Sequence, residues 1–321
     1  MQFAHRTLGQ RVVLDPGGAV ARIRAELDRL EPRAVMVIGT ERHAALLDAL
    51  AGRAALRWNE VVQHVPEQLA ERATGAATGA GIEVIVAVPT TYAGSEATNV
   101  WGLTGPGGKR TGSADRVLPE TVVYDPDLLA SMPSELAAAS GLNAVAHCVD
   151  ALWGPTVDPI DVALATEGLR SLNDGLRVGN AARTQYGCYL AAVAFASAGS
   201  GLHHRICHVL GGRFDLPHAA MHAIVLPYVV AVNAPAVPDL AARIADAMGS
   251  IDALSGVESL RADLDAPRAL REIGLREQDI PDAVEAVLPA VPPSNPRPVD
   301  AATLTRLVRA AWAGDDPRGL T

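Results

Sequence analysis

The stretch GLHHRICHVLGGRFDLPHAAMH, residues 201–222, carries five of the nine histidines of the chain. His204 and His208 are four residues apart, and so are His218 and His222. On an α-helix this spacing places two side chains on the same face. Two helices that each present a pair of imidazoles predict a site at which several imidazoles converge, and such clustering is more typical of chemistry than of packing.

A second segment adds an amide and a further imidazole. In SGLNAVAHCVDAL, residues 140–152, Asn143 and His147 are four residues apart and share a helical face. Divalent metals such as Zn²⁺ or Fe²⁺ accept imidazoles from two helices, but they usually take a carboxylate or thiolate as well. Asn143 offers a neutral amide, and Asp150 belongs to a different helical face. Neutral imidazoles around an amide therefore favour proton transfer and anion binding over metal capture.

The composition excludes several classes of protein. The 321 residues carry a formal net charge of −9 and no run rich in Lys or Arg, so no nucleic-acid partner is expected. No apolar run reaches the roughly 20 residues that span a bilayer, and the first residues lack the apolar core of a signal peptide. Cys148, Cys188 and Cys207 are odd in number and have no paired spacing. These features predict a cytoplasmic protein with free thiols and no membrane partner.

Strand and helix signals alternate in the first third of the chain and give way to helices after about Met132. Apolar, β-branched runs are typical of buried parallel strands, and the segments between them have helical spacing. The sequence thus predicts an α/β domain with a reduced parallel sheet at 1–132 and an all-helical domain, carrying the histidines, at 133–321. The predicted strands are 33–39, 82–91 and 122–124, and the predicted helices before residue 132 are 40–53 and 65–81.

A loop rich in hydroxyl groups follows one predicted strand. In VAVPTTYAGSEAT, residues 86–98, Thr90, Thr91 and Ser95 can hydrogen-bond a phosphate, a carboxylate or a sugar. GPGGKR, residues 105–110, supplies Lys109 near a glycine-rich turn, a pattern that is also typical of a solvated hairpin. The sequence contains no G-x-G-x-x-G, no P-loop and no G-x-S-x-G, so neither a standard dinucleotide turn nor a serine hydrolase is indicated.

Four segments together resemble a known family: PTTYAGSEAT, RVLPETVVYDPDLL, SGLNAVAHCVDALW and LHHRICHVLGGRFDLPHAAMHAIVLPY. They are similar to the maleylacetate reductases, a branch of the iron-containing alcohol dehydrogenases, over nearly the whole chain. The resemblance implies a dehydroquinate synthase-like architecture with a dinucleotide-binding domain, a helical domain and an active site in the cleft between them. It also implies a homodimer and hydride transfer from NADH or NADPH to an unsaturated oxo-dicarboxylate.

The resemblance also bears on metal binding. The one Asp and three His of the metal-dependent relatives fall here on Asn143, His147, His204 and His218, with His208 as a further histidine of the motif. Maleylacetate reductases share this Asn-type pattern, which implies catalysis without a metal. If a metal were bound, the resemblance would make His147, His204 and His218 its ligands.

One departure from the family concerns the cofactor. The family's GGGS-type turn, whose small residues let backbone amides approach a pyrophosphate, is missing from the sequence. Residues 75–81 run directly into 82–91, so roughly 30 residues, the size of one βα unit, are absent. The turn at 37–43 has a single glycine. If a dinucleotide is still bound, Thr90, Thr91, Ser95 and Gly39 are the expected contacts.

Three hypotheses follow. The first is a reductase scaffold without cofactor, in which histidines catalyse isomerisation, dehydration or cyclisation of an anionic or polyoxygenated small molecule. The alternative is a working maleylacetate reductase that uses NADH or NADPH. The third is a non-catalytic homologue that binds a metabolite. For the first two, the expected catalytic residues are His204 and His208 as the acid/base pair, with His147 and His218 as orienting residues or second proton carriers. The expected substrate contacts are Asn143, Thr90, Thr91, Tyr92, Ser95 and Lys109.

Overall fold

The structure is a computed structural model that describes residues 3–62, 65–105 and 108–320, without the side chains at 104, 109 and 111. The chain divides into two compact units. The α/β unit comprises Gly9–Pro89 and Ser95–Leu128, and the helical unit comprises Met1–Leu8, Thr90–Gly94 and Leu129–Thr321. The division near Leu128 is close to the predicted boundary at 132, but the N-terminal segment Met1–Leu8 and the internal segment Thr90–Gly94 also belong to the helical unit.

The α/β unit contains a parallel sheet of three strands among its described residues. β7 (Thr121–Tyr124) lies in the middle, because β1 (Arg11–Leu14) and β4 (Val86–Ala87) both pair with it in parallel register through Thr121. All four residues of β7, TVVY, are buried, as expected for a strand with neighbours on both sides.

Two smaller strand pairs and three helices complete the α/β unit. β2 and β3 pair in parallel, and β5 and β6 form an antiparallel hairpin. Ile23 and Leu27 of α1 pack against Val123 of the central strand and form a small core. The remaining elements are β2 (Met36–Ile38), β3 (Leu56–Trp58), β5 (Val100–Gly105), β6 (Gly108–Ser113), α1 (Ala19–Leu30), α2 (Ala44–Leu50) and α3 (Glu67–Gly79).

The reduced parallel α/β sheet and the helical second part are confirmed, but individual strands differ from prediction. The predicted strand at 82–91 pairs over Val86–Ala87 alone, and Pro89 has no N–H with which to extend the ladder. β1 and β3 were not predicted, because their short runs carry too few residues for a clear period of two. The antiparallel pairing of β5 with β6 agrees with the hairpin that the glycine-rich turn at 105–110 indicated.

The helical unit buries one large core. α4 runs through it, and from Ala138 to Leu152 every residue of α4 except His147 is buried. The helices of this unit are α4 (Ser134–Leu152), α5 (Pro159–Val178), α6 (Ala181–Ala198), α7 (Leu202–Phe214), α8 (His218–Asn233), α9 (Pro238–Ala247), α10 (Ala253–Asp263), α11 (Ile280–Val287) and α12 (Ala301–Ala313).

One described segment is long and apolar enough to cross a bilayer by length and composition. It is His218–Ala236, which is α8 and the turn after it, and 72% of its most apolar stretch is buried inside the protein. A core helix and a membrane span both pass this test of length and apolarity. The burial of this segment inside the protein is typical of a core helix.

Candidate functional site

Six histidines gather in the helical unit on three helices. Of these, α4 contributes one, α7 three and α8 two. They differ in solvent exposure: His203 and His222 are fully buried, and His208 is exposed. We refer to this group as the histidine cluster; its members are His147, His203, His204, His208, His218 and His222.

The most strongly held member of the cluster is His204. Its ring Nδ1 lies 2.8 Å from Oδ2 of Asp150, and its backbone amide donates to the same oxygen at 3.0 Å. Both side chains are almost completely buried, at 2% and 0% exposed. Gly201 makes this approach possible, because a Cβ at that position would collide with the Asp150 carboxylate. Asp150 therefore fixes both the position of the α7 N-terminus and the orientation of the His204 ring.

Two rings, those of His147 and Phe195, pack against the His204 ring. His147 stacks on it with ring centroids 4.8 Å apart and an interplanar angle of 15°. Phe195 of α6 lies 4.3 Å from the His204 ring and 4.7 Å from the His147 ring. These contacts hold the two imidazoles nearly parallel, so their orientations are set before any ligand binds.

A chain of hydrogen bonds links the buried imidazoles of α7 and α8. Nε2 of His203 lies 2.8 Å from Nδ1 of His222, and Nε2 of His222 lies 3.2 Å from Nε2 of His218. Cys207 Sγ is 3.7 Å from Nε2 of His203. Because each ring nitrogen must be either donor or acceptor, these contacts tie the tautomer of one histidine to that of the next.

Burial controls the ionisation of the cluster. It lowers the pKa of His147, His203, His204 and His222 well below the ordinary histidine value, and other imidazoles of the cluster lower it further. Burial raises the pKa of Asp150, while His203 and the amides at the start of α7 oppose that rise. At neutral pH the His204 ring is thus neutral and donates Nδ1–H to Asp150, which leaves its Nε2 with a lone pair.

Several polar atoms of the site are buried without a hydrogen-bond partner. They include Nε2 of His204, Nδ1 of His147 and Oδ1 of Asn143. Buried polar atoms are nearly always satisfied, so such a group of unpaired atoms indicates a place prepared for a ligand. The ligand that fits has both hydrogen-bond donors and acceptors.

The geometry of the cluster does not suit the iron that the family resemblance evokes. Among the described residues, the histidine, cysteine and acidic groups whose ligand atoms lie within 4.8 Å of one another are His203–Cys207–His222 and His5–Asp158–Asp161. His147, His204 and His218 do not form such a group, and Asn143 contributes no charge. We therefore assign no catalytic step to a metal at these three histidines.

The predicted acid/base pair differs from the contacts observed. The rings of His204 and His208 lie edge to face with centroids 6.0 Å apart, and His208 is exposed. The direct hydrogen-bond partner of His204 is Asp150 instead. His208 stacks at 6.1 Å on the half-buried His218, so these two imidazoles form the solvent side of the cluster.

The hydroxyl-rich loop in residues 86–98 is divided between the two units. Residues Thr90–Gly94 belong to the helical unit, where Gly94 has a φ of +76° and a Cβ would come within 2.9 Å of Ala192 Cβ. Thr90 and Thr91 are half-buried. Tyr92 is 6% exposed within the helical core, and burial raises the pKa of its phenol to about 12. Tyr92 thus packs in the helical core, and its predicted contact with a substrate stays a prediction.

Two further predicted contacts lie in the α/β unit. Ser95 is exposed at the start of a short 3₁₀ turn, Ser95–Ala97. Lys109 lies on β6 opposite Thr104, in the hairpin that its surroundings indicated. The Lys109 side chain lies outside the described residues, so its predicted contact with a substrate carboxylate stays a prediction.

A turn in the α/β unit has the chemistry of a dinucleotide contact. β2 ends at Ile38, and Gly39 and Thr40 lead into a 3₁₀ turn that ends at His43. Nε2 of His43 is buried without a hydrogen-bond partner. Burial and then Arg42 lower the pKa of this imidazole. Ligands of parallel sheets bind beyond the carboxyl ends of strands, so this nitrogen fits a ribose or phosphate oxygen.

The backbone amides of the turn between β1 and α1 already have a hydrogen-bond acceptor. The amides of Gly17 and Ala19, at the start of α1, donate to the carboxylate of Asp125 at 2.8 and 2.9 Å. An anion at that place would have to displace a buried carboxylate. The residues around Gly39 are thus the better candidates for holding a cofactor.

Four residues of the site were assigned no role from the sequence. Asp150, Phe195, His203 and His222 were either left aside or given no role. For Asp150 the available signal was its position three residues after His147, which places it on an adjoining face of α4. Nothing in the sequence showed that α7 would approach that face.

Comparison with known proteins places this site in a family. The sequence pattern of the Fe-containing alcohol dehydrogenase family, C-terminal, matches residues 137–312. A maleylacetate reductase from Pseudomonas sp. (strain P51) is 34% identical over 353 aligned positions, covering 99% of this chain and all of that protein. Maleylacetate reductase 2 from Cupriavidus pinatubonensis is 40% identical, with 94% of both chains covered. The first alignment is longer than the 321 residues of the chain, so it contains gaps on this chain's side.

Solved structures give the same result. An iron-containing alcohol dehydrogenase from Corynebacterium glutamicum superposes with a TM-score of 0.96 at 46% identity, covering 100% of this chain and 99% of that one. A maleylacetate reductase from Agrobacterium tumefaciens superposes with a TM-score of 0.91 at 31% identity, covering 98% and 99%.

These relatives correct the prediction that no cofactor is needed. Relatives of nearly full length are named reductases or dehydrogenases, and such reactions require a hydride donor or acceptor. The prediction of an enzyme without cofactor is therefore wrong, and the reductase alternative is better supported than the non-redox hypothesis.

Proposed function

The chain belongs to the maleylacetate reductase branch of the iron-containing alcohol dehydrogenase family, and from this premise we propose that it is an NAD(P)H-dependent reductase. Its substrate is an unsaturated oxo-dicarboxylate of the maleylacetate type. The observation that supports the proposal most directly is the Asp150–His204 pair with an unpaired Nε2, in a chain similar to maleylacetate reductases over 99% of its length.

The residues proposed to hold the cofactor are few and polar. Gly39 and His43 flank the turn after β2, and Ser95 of the same unit supplies a hydroxyl group. The cofactor contacts predicted for Thr90 and Thr91, which belong to the helical unit, stay predictions. When bound, the nicotinamide supplies the hydride. The glycine-lined diphosphate turn is missing, so hydroxyl and imidazole groups carry a larger part of the binding than backbone amides do.

The proton of the reaction is assigned to His204. Reduction of a carbon–carbon double bond conjugated to a ketone adds a hydride to one carbon and a proton to the other. His204 Nε2 is the buried, unpaired ring nitrogen whose opposite nitrogen is fixed by a carboxylate. The Asp150 charge and the two carboxylates of the substrate favour the imidazolium, which then delivers the proton from Nε2.

The neighbouring polar groups orient the substrate. Asn143 Oδ1 and His147 Nδ1 are both unpaired, and their residues share one face of α4. An amide and a neutral imidazole can donate to or accept from the ketone and the carboxylates of the substrate without repelling them. His208 and His218, on the solvent side of the cluster, are proposed to return a proton to His204 after each turnover.

The proposal is tested by following NADH and NADPH absorbance with maleylacetate. We expect one reduced cofactor to be consumed per substrate. His204→Ala should lower kcat by roughly 10²–10⁴-fold, the usual contribution of a positioned acid or base, with little change in the KM for NADH. Thermal melting of the variant checks that its fold is intact. Absence of turnover with either cofactor in the wild-type protein would rule the proposal out.

A further inference from the structure

A second group of titratable residues lies away from the histidine cluster, at the start of α5. It consists of His5, Asp158 and Asp161, all in the helical unit. Their side chains are 6%, 7% and 0% exposed. The proposed reduction uses none of these residues.

The local hydrogen bonds leave one oxygen of each carboxylate free to face His5. Asp158 is the N-cap of α5: its Oδ1 accepts from the amides of Ile160 and Asp161 at 2.8 and 3.0 Å. Asp161 Oδ2 accepts from the Asp158 amide at 3.1 Å and completes a capping box. Each carboxylate thus satisfies the helix terminus with one oxygen.

The two remaining oxygens converge on one imidazole nitrogen. Nδ1 of His5 lies 2.7 Å from Oδ2 of Asp158 and 3.8 Å from Oδ1 of Asp161. Oδ1 of Asp161 is completely buried and accepts no hydrogen bond of normal geometry, and the nearby Ser197 hydroxyl opposes only in part the rise that burial causes in the pKa of this carboxyl. One nitrogen and two oxygens therefore surround a point at which one of the oxygens is unsatisfied.

Charge favours a cation at that point. Among the described residues, both ion pairs of these carboxylates are with His5. Even a protonated His5 would leave one negative charge in excess within a buried group. Burial raises the pKa of Asp161. The pKa of Asp158 is lowered, since the amide of Asp161 and the His5 ring outweigh its desolvation.

We propose that His5, Asp158 and Asp161 form a binding site for one divalent metal ion, separate from the reductase site. A ligand set of one imidazole and two carboxylates suits a borderline ion such as Mn²⁺, Fe²⁺ or Zn²⁺. The ion takes the place of the hydrogen bond between Nδ1 of His5 and Oδ2 of Asp158 and binds Oδ1 of Asp161. By fixing His5 to the start of α5, it stabilises the N-terminal segment on the helical unit.

A route for the ion is present in the same unit. A cavity of about 790 Å³ is lined by Asp158, Pro159 and Asp239 among others. Asp158 therefore borders both the cavity and the proposed site. Three acidic residues of its wall, Asp158, Glu167 and Asp239, outnumber its two arginines, Arg170 and Arg243, by one charge.

Titration of the intact protein with Mn²⁺ tests the site, because Mn²⁺ prefers carboxylates and competes poorly for cysteine and clustered imidazoles. We expect one Mn²⁺ per chain by calorimetry and electron paramagnetic resonance. Asp161→Asn should weaken it by more than about tenfold, since loss of a supporting ligand contact typically costs that much or more. Asn retains an acceptor for the capping box, so the helix start is preserved.

The matched control is Asp300→Asn, the same change at the N-cap of α12, where the side chain accepts from the Thr303 amide. This variant should bind Mn²⁺ like the wild type. Absence of Mn²⁺ binding, equal binding by the two variants, or loss of binding in His204→Ala instead would each overturn the proposal. Anomalous diffraction from Mn²⁺-soaked crystals gives an independent test, with a peak expected beside Nδ1 of His5. None of these outcomes depends on reductase activity.

Discussion

At the scale of single residues, Asp150 determines what His204 can do. An isolated imidazole exchanges its proton between two nitrogens, whereas the 2.8 Å contact with Asp150 holds the proton on Nδ1 and leaves Nε2 for the substrate. Burial of both groups makes the contact strong and the loss of either partner costly. The sequence indicated His204 from its spacing, but it placed Asp150 on another helical face and gave it no role.

Replacement of Asp150 should therefore impair the reaction while the pocket is retained. Asp150→Asn keeps the size of the side chain but can donate to Nδ1, which favours the wrong tautomer of His204. We expect kcat to fall by roughly 10²–10⁴-fold, in line with the loss of a positioned acid or base. Steady-state kinetics with NADH and the oxo-dicarboxylate provide the measurement.

The control for this variant is Asp125→Asn in the α/β unit. Asp125 is also a buried carboxylate, 3% exposed, and it accepts from backbone amides without touching a histidine of the cluster. It should reduce stability and leave kcat near the wild-type value. An equal loss of kcat in both variants would mean that Asp150 acts only through the fold.

At the scale of elements, the helix faces were predictable and the strands less so. The i, i+4 spacing of His204 with His208 and of Asn143 with His147 correctly indicated helices, because that spacing reports local geometry. The strand at 82–91 shortened to Val86–Ala87, because the length of a strand depends on which neighbours it pairs with. The sequence contains no GGGS-type turn, and the loss of a whole βα unit, which the family resemblance implies, stays a prediction.

The absent turn predicts weak binding of the cofactor rather than none. Each charge-assisted hydrogen bond to a phosphate is worth about 1.5–3 kcal/mol, so the loss of two raises Kd by about 10²–10⁴-fold. Calorimetric titration of NADH into this protein and into the Agrobacterium tumefaciens maleylacetate reductase gives the comparison. Equal affinities would show that other groups of this chain fully replace the turn.

At the scale of the whole molecule, the histidine cluster links stability to pH. His147, His203, His204 and His222 are neutral in the folded protein, because burial lowers their pKa values. In the unfolded chain they take up protons below about pH 6.5, the ordinary histidine value. The unfolded state then binds more protons than the folded state, so the free energy of unfolding must fall as the pH is lowered.

We therefore expect the melting temperature to be constant above about pH 7.5 and to decrease steadily from pH 6.5 to 5. Each fully displaced histidine contributes a slope of about 1.4 kcal/mol per pH unit. Urea unfolding at several pH values measures the slope, and His222→Gln, which removes one of the four groups, should reduce it. A free energy of unfolding that does not change between pH 7.5 and 5 would contradict this account.

The homodimer and the cytoplasmic location remain predictions.

The sequence by itself determined the family, the reduced α/β sheet, the helical second part and the helices that carry the imidazoles. These features depend on residue type and on local spacing, which the chain displays directly. Only the tertiary structure decided that Asp150 holds His204, that Tyr92 packs in the core and that His5 meets Asp158 and Asp161. Such contacts join residues far apart in the chain, and they depend on how helices approach one another, which side-chain periodicity does not specify.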